Sequence, residues 1–103
     1  MRAVGLLEVY GLTAAFAAGD AGCKAADVTL EIFDKNKPAN ADALPVPLIV
    51  TVKYRGGVSD VTAAVAAGSE AARKVSGVVV SRVIPNPEPG TEMMLKISAL
   101  DRN

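Results

Sequence analysis

Histidine and tryptophan are missing from this 103-residue chain, and cysteine occurs once, at Cys23. Without histidine the commonest general base and the commonest transition-metal ligand are gone, so most metal-site patterns and nucleophile–histidine arrangements are excluded. A single cysteine permits no internal disulfide. Two phenylalanines and two tyrosines are the only aromatics, although half of the chain is hydrophobic. A core built from so little aromatic mass is small, and a domain of this kind is often completed by oligomerisation. Net charge is absent as well, because eleven Lys+Arg balance eleven Asp+Glu. That balance removes the electrostatic case for nucleic acid or an anionic membrane, and it leaves no field to keep copies apart. No apolar run approaches the ~20 residues of a membrane span. The N-terminal sequence lacks a basic, apolar, small-residue signal pattern, so a cytosolic protein is expected.

What is present is a succession of periodic segments. Arg2 to Val9 has the composition of a strand and is followed by a Tyr10-Gly11 break. Leu12 to Val28 reads as an alanine-rich helix running into a strand. Its Leu12, Phe16, Gly19, Cys23 and Ala26 fall on one stripe, while Thr13, Ala17, Asp20 and Lys24 form another. The first stripe is expected to face the core, with Cys23 as a small buried hydrophobe beside Phe16. On the second, Asp20 precedes Lys24 by four residues, an ion pair worth about 0.2–0.5 kcal/mol when solvated.

Val28, Leu30 and Ile32 alternate with Thr29, Glu31 and Phe33 in a second strand that stops at Asp34. Asp34 to Pro47 has three prolines and no period, a loop well beyond the usual connection of about 4–6 residues. Leu48 to Arg55 alternates as a third strand and ends at Gly56-Gly57. Val58, Val61, Val65, Gly68, Ala72 and Val75 then follow a three-four spacing, a second helix with Ser59 or Asp60 available to cap it and Gly77 to close it. The β-branched run Val78 to Ile84 predicts a central or well-covered strand. From about residue 85 a proline-rich tail leads to Thr91–Leu100, a short helix or an edge segment.

The order strand, helix, strand, strand, helix, strand is the ferredoxin-like split βαβ pattern, an α+β domain spanning residues 1–103 with one sheet and both helices on one face. The opposite sheet face is then left for partners. No paired acids sit in a glycine-framed site and no nucleophile has an evident base, so no enzyme, cofactor or metal site is expected. Arg55-Gly56-Gly57 is no phosphate-binding fingerprint. Two non-catalytic readings fit the pattern: a structural self-assembling protein, and a small ligand-binding regulatory oligomer whose long loop closes over an effector.

Three segments carry a family resemblance. VGLLEVYGLTAAFAAGDAGCKAADVTL, VTVKYRGGVSDVTAAVAAGSEAARKV and VVVSRVIPNPEP, in this order, resemble the single-domain, hexameric shell protein of bacterial microcompartments. The strongest pieces are Gly5 and Glu8, the Asp20 to Ala25 helix end, the Val65 to Ala72 helix and the Val83-Ile84-Pro85 strand exit. The resemblance implies a cyclic homohexamer that tiles edge to edge with other shell proteins around encapsulated enzymes, in a shell within the cytoplasm, with small metabolites crossing a pore on the sixfold axis. It places Lys24 at the hexamer edge, donating to backbone carbonyls of a neighbouring ring, with Asp20 beside it. It also places the 34–47 loop at the pore, where Asp34, Lys35, Asn36 and Lys37 are the candidate lining residues. The loop holds no cysteine, so iron–sulfur ligation there is not implied. The chain departs from the family at the strand exit, usually Ile-Pro-Arg-Pro-His, where Asn86 and Glu88 stand. An edge arginine is thereby replaced by Asn86, which removes a charge-assisted donor.

Overall fold

The computed structural model describes residues 2–36, 39–43 and 46–96. Strand β1 (Ala3–Tyr10) ends at Gly11, whose φ of 89° lies in the left-handed region that glycine reaches without strain. Helix α1 (Leu12–Ala25) follows directly. Two short strands, β2 (Thr29–Leu30) and β3 (Asp34–Asn36), precede a single 3₁₀ turn at Ala41–Ala43 and the long strand β4 (Ile49–Gly56). Helix α2 (Val58–Val75), strand β5 (Val78–Ile84) and helix α3 (Pro89–Leu95) complete the order. The sheet is antiparallel, ordered β2-β4-β1-β5, with β3 continuing the β2 edge along β4. This is the expected single open sheet, with α1 lying toward β4 and α2 toward β1.

The second strand does not run as its alternation predicts. Thr29 and Leu30 pair with Arg55 and Tyr54, whereas Asp34, Lys35 and Asn36 pair with Thr51, Val50 and Ile49. The register has slipped by one residue between the two pieces, as in a β-bulge. Leu30 and Phe33, which a regular strand would send to opposite faces, therefore both reach Gly19 of α1: a Cβ there would stand 3.0 Å from a Leu30 methyl and 3.4 Å from the Phe33 ring. Asp34 to Asn36 is accordingly strand, and the loop begins after it.

The core face of α1 is also not the expected one. Ala14, Ala15, Ala18, Gly19 and Gly22 are buried, while Leu12 and Cys23 are exposed and Phe16 is 62% exposed. The cause is Tyr54. Fully buried on β4, its phenol donates a 2.5 Å hydrogen bond to the Ala18 carbonyl. A Cβ on Gly22 would fall 2.3 Å from its ring, and one on Gly68 of α2 would fall 2.2 Å from its hydroxyl. Only small residues fit on the inner side of either helix here, so the bulky stripe of α1 faces outward. Leu7, Val9, Val50, Val52 and Val61 fill the rest of this layer.

Two further expectations are corrected. Strand β5 is an edge strand and Val80 is 54% exposed, because strand order follows pairing and not composition. The N-cap of α2 is Gly57 with no side-chain cap bond, and the Asp60 carboxylate instead accepts from the Asp27 N–H at 3.3 Å.

Both long helices lie on one face as expected, but the opposite face is not left bare. Helix α3 starts at Glu88-Pro89, where the Glu88 carboxylate accepts from the N–H groups of Gly90 and Thr91. Under it Lys53 Nζ donates to the Leu95 carbonyl at 2.9 Å, and Arg55 Nη2 donates to the Glu92 carboxylate at 2.5 Å. Of the expected tail segment, residues 97–100 lie outside the described residues.

Candidate assembly edge and pore segment

The strand registers sort the candidate residues to two ends of the sheet. Ala3 faces Gly56 and Val4 faces Ile84, so β1 begins where β4 and β5 finish. Helix α1 also finishes at this end: a Cβ on Gly56 would lie 3.0 Å from the Asp27 carbonyl, two residues past the helix. Lys24 occupies the last turn of α1, where a cation suits the negative end of the helix dipole. Its ammonium lies 2.8 Å from the Asp20 carboxylate, with the two side chains 76% and 64% exposed. The Asp20 hydrogen bond raises the Lys24 pKa above the ordinary lysine value. Asn86 is exposed in the bend after β5, at the same end of the sheet. The structure thus joins Asp20 to Lys24 and sets Asn86 on the same end of the sheet.

The pore candidates occupy the other end. Asp34 is half-buried and accepts from the Lys35 N–H at 3.0 Å, while Lys35 and Asn36 are exposed along β3. Lys37 lies outside the described residues. Between the two ends run the eight residues of β4, roughly 24 Å at about 3.4 Å per residue.

Sequence reasoning missed the polar clamp beneath α3. Lys53 and Arg55 alternate with Val52 and Tyr54 on β4, so they point away from the helix layer and are nonetheless buried. Burial lowers the Lys53 pKa, partly offset by Asp34 and Glu31. Hydrogen bonding from Arg55 holds the Glu92 carboxyl below its ordinary range. Arg55 Nη1 is buried with no hydrogen-bond partner among the described residues. The signal that could have found this site is Glu88-Pro89, an acidic N-cap before a proline at the first helical position. Among the described residues no group of His, Cys, Asp or Glu could hold a metal ion, and no helix is long and apolar enough to cross a membrane.

An open antiparallel sheet under two small-residue helices, with its charged candidates at the strand ends and exposed apolar groups along its flank, defines an α+β domain. The chain belongs to the BMC domain family, whose match covers residues 3–87. It is 41% identical over 94 residues to the bacterial microcompartment shell protein PduA of Citrobacter freundii, covering 91% of each chain. It is 39% identical over 97 residues to the carboxysome shell protein CcmK2 of Thermosynechococcus vestitus, covering 92% of this chain and 86% of that one. Its fold matches the crystal structure of a microcompartment protein from Desulfitobacterium hafniense with a TM-score of 0.70 and 27% identity. That alignment takes in 96% of this chain and spans about half, 49%, of the other.

Proposed function

We propose that this protein is a structural shell protein of a bacterial microcompartment, without catalytic activity, which closes into a ring of six and tiles edge to edge into the shell. The observation that carries this reading is the separation along β4: Lys24, Asp20 and Asn86 lie at one end of the strands, and Asp34, Lys35 and Asn36 at the other. In a ring with the second end at the axis, the first end forms the perimeter. A lysine at a perimeter has a long apolar stem to lay on a flat alanine surface and three donors for a neighbour's carbonyls. Exchanging the Asp20 contact for such acceptors costs little, because the exposed pair contributes little to the isolated fold.

Negative-stain microscopy tests the layer and native mass spectrometry tests the ring. The expected wild type is a hexamer that forms sheets or tubes, and Lys24→Ala keeps the hexamer while losing the arrays. A wild type that stays a monomer or trimer refutes the reading, and unchanged arrays from Lys24→Ala refute the edge.

On the family resemblance, six copies each of Lys35 and of Lys37, which lies outside the described residues, would give a cationic pore that favours anionic metabolites. Replacing both by glutamate is expected to reverse that preference in flux across assembled layers. Flux indifferent to the change would remove these lysines from the pore.

A further inference from the structure

Helix α3 covers only part of the sheet face it lies on. Arg55 bonds the Glu92 carboxylate and Lys53 bonds the Leu95 carbonyl, so α3 runs antiparallel to β4 and heads toward Thr51, the next residue of β4 on that face. Where α3 ends, a hollow begins. Its volume is about 330 Å³, and it is lined by Leu6, Glu8, Thr51, Val80, Ser81 and Arg82. The ladders put it on the α3 face: Leu6 pairs with Lys53 and Arg82, Glu8 pairs with Thr51 and Val80, and directly opposed residues share a face. Leu6 is half-buried and Val80 is 54% exposed, so apolar surface is left open between one acid, Glu8, and one base, Arg82.

The chain arrives at this hollow with a matching segment. Ile97 to Asn103, reading ISALDRN, follows Lys96 and lies outside the described residues. Ile97 and Leu100 are three residues apart, a spacing that sets two side chains on one side of a helical turn. Asp101 and Arg102 follow, again one acid and one base. Reach is no obstacle: Thr51 is about 7 Å beyond Lys53 along the strand, and seven residues of chain span up to about 24 Å.

We infer that Ile97 to Asn103 of the same chain seats on this hollow, with Ile97 and Leu100 against Leu6 and Val80, and that it acts as a built-in cover of the open sheet face. Three observations select this occupant. Continuity is the first, because α3 delivers the segment to the edge of the hollow at no cost of bringing two molecules together. Apolar pattern is the second, since the segment's two large aliphatic residues match the two of the hollow. Charge is the third: Asp101 and Arg102 complement Arg82 and Glu8. The face is then closed by one continuous stretch, α3 on the two buried cations and the segment after it on the hollow. A single chain supplies both the hollow and its occupant, so the inference does not depend on the ring.

The test exploits the absence of tryptophan from the chain. In the full chain Leu100→Trp introduces one fluorophore, and its emission is expected to be blue-shifted and quenched by acrylamide severalfold less than free tryptophan amide. Adding Val80→Asp, at an exposed position that leaves the circular dichroism spectrum unchanged, is expected to return emission and quenching to those of the free amide. A second variant separates the chain's own segment from a neighbour's: Leu100→Cys with Val80→Cys, in a Cys23→Ser background, is oxidised and run on a non-reducing gel. An intrachain disulfide, seen as a faster-moving monomer, is expected. A fully quenched Leu100→Trp overturns the inference, as does shielding that survives Val80→Asp. Disulfide-linked dimers, or no disulfide at all, overturn it equally.

Discussion

The two faces of the sheet are held by different physics. On the helix face, Tyr54, Leu7, Val9, Val50 and Val52 are fully buried, the inner side of α1 is cut down to alanine and glycine, and α2 adds Val61 and Val65 with Gly68 where it meets Tyr54. Cohesion there is apolar contact, and it extends across the whole sheet. On the other face, a single seven-residue helix is tied down by hydrogen bonds from two buried cations, Lys53 and Arg55. Close packing tolerates no change of volume, whereas a polar tie depends on protonation and can be released without dismantling the layer. The first face is therefore the scaffold, and the second is the part of the domain that conditions can loosen.

Substitutions at the two faces should separate in size. Tyr54→Ala removes the ring around which both helices are fitted and is expected to cost about 3–5 kcal/mol in chemical denaturation. A loss below about 1 kcal/mol would show that the helices collapse onto the space and that small residues there are not dictated by Tyr54.

Glu92→Gln should act on α3 alone, raising amide exchange in Pro89–Leu95 with little change in the global midpoint. The same contact predicts a pH response. Because the folded pKa of Glu92 lies below its ordinary value of about 4.5, the contact is fully present above that pH and is lost as pH falls through the depressed value. Acid should thus free α3 before it unfolds the helix layer, and simultaneous loss of both would show that the faces are not independent. At the small end, Lys24→Ala should leave the denaturation curve of the isolated domain unchanged, since its ion pair with Asp20 is exposed. A measurable loss of fold stability would recast Lys24 as part of the fold.

Periodicity found the stripe Leu12, Phe16, Gly19, Cys23 on α1 and expected it in the core, where Gly19 does lie, but Leu12, Phe16 and Cys23 face outward. Large apolar residues at helical spacing usually mark a core, and here they mark a flank because the space under α1 is already taken by a tyrosine from a strand about thirty residues further along. Alternation in Val28 to Phe33 misled for a similar reason. A one-residue bulge reverses the faces after it, and nothing in a run of alternating residues announces where a ladder slips. The exposed Lys24–Asp20 pair, by contrast, was legible, because i to i+4 contacts depend only on the helix itself.

The sequence by itself determined which elements form and in what order. Helix periodicity, the Gly11 and Gly57 boundaries and the Val78–Ile84 strand are written in local residue choice, and their order brings the split βαβ sheet with it. Only the tertiary structure decided which side of each element is inside. Burial of Tyr54 turned the bulky face of α1 outward, pairing order left β5 at an edge, and the turn at Glu88 carried α3 back over Lys53 and Arg55. Those outcomes depend on what other segments bring to the same space, a property of no single stretch of chain.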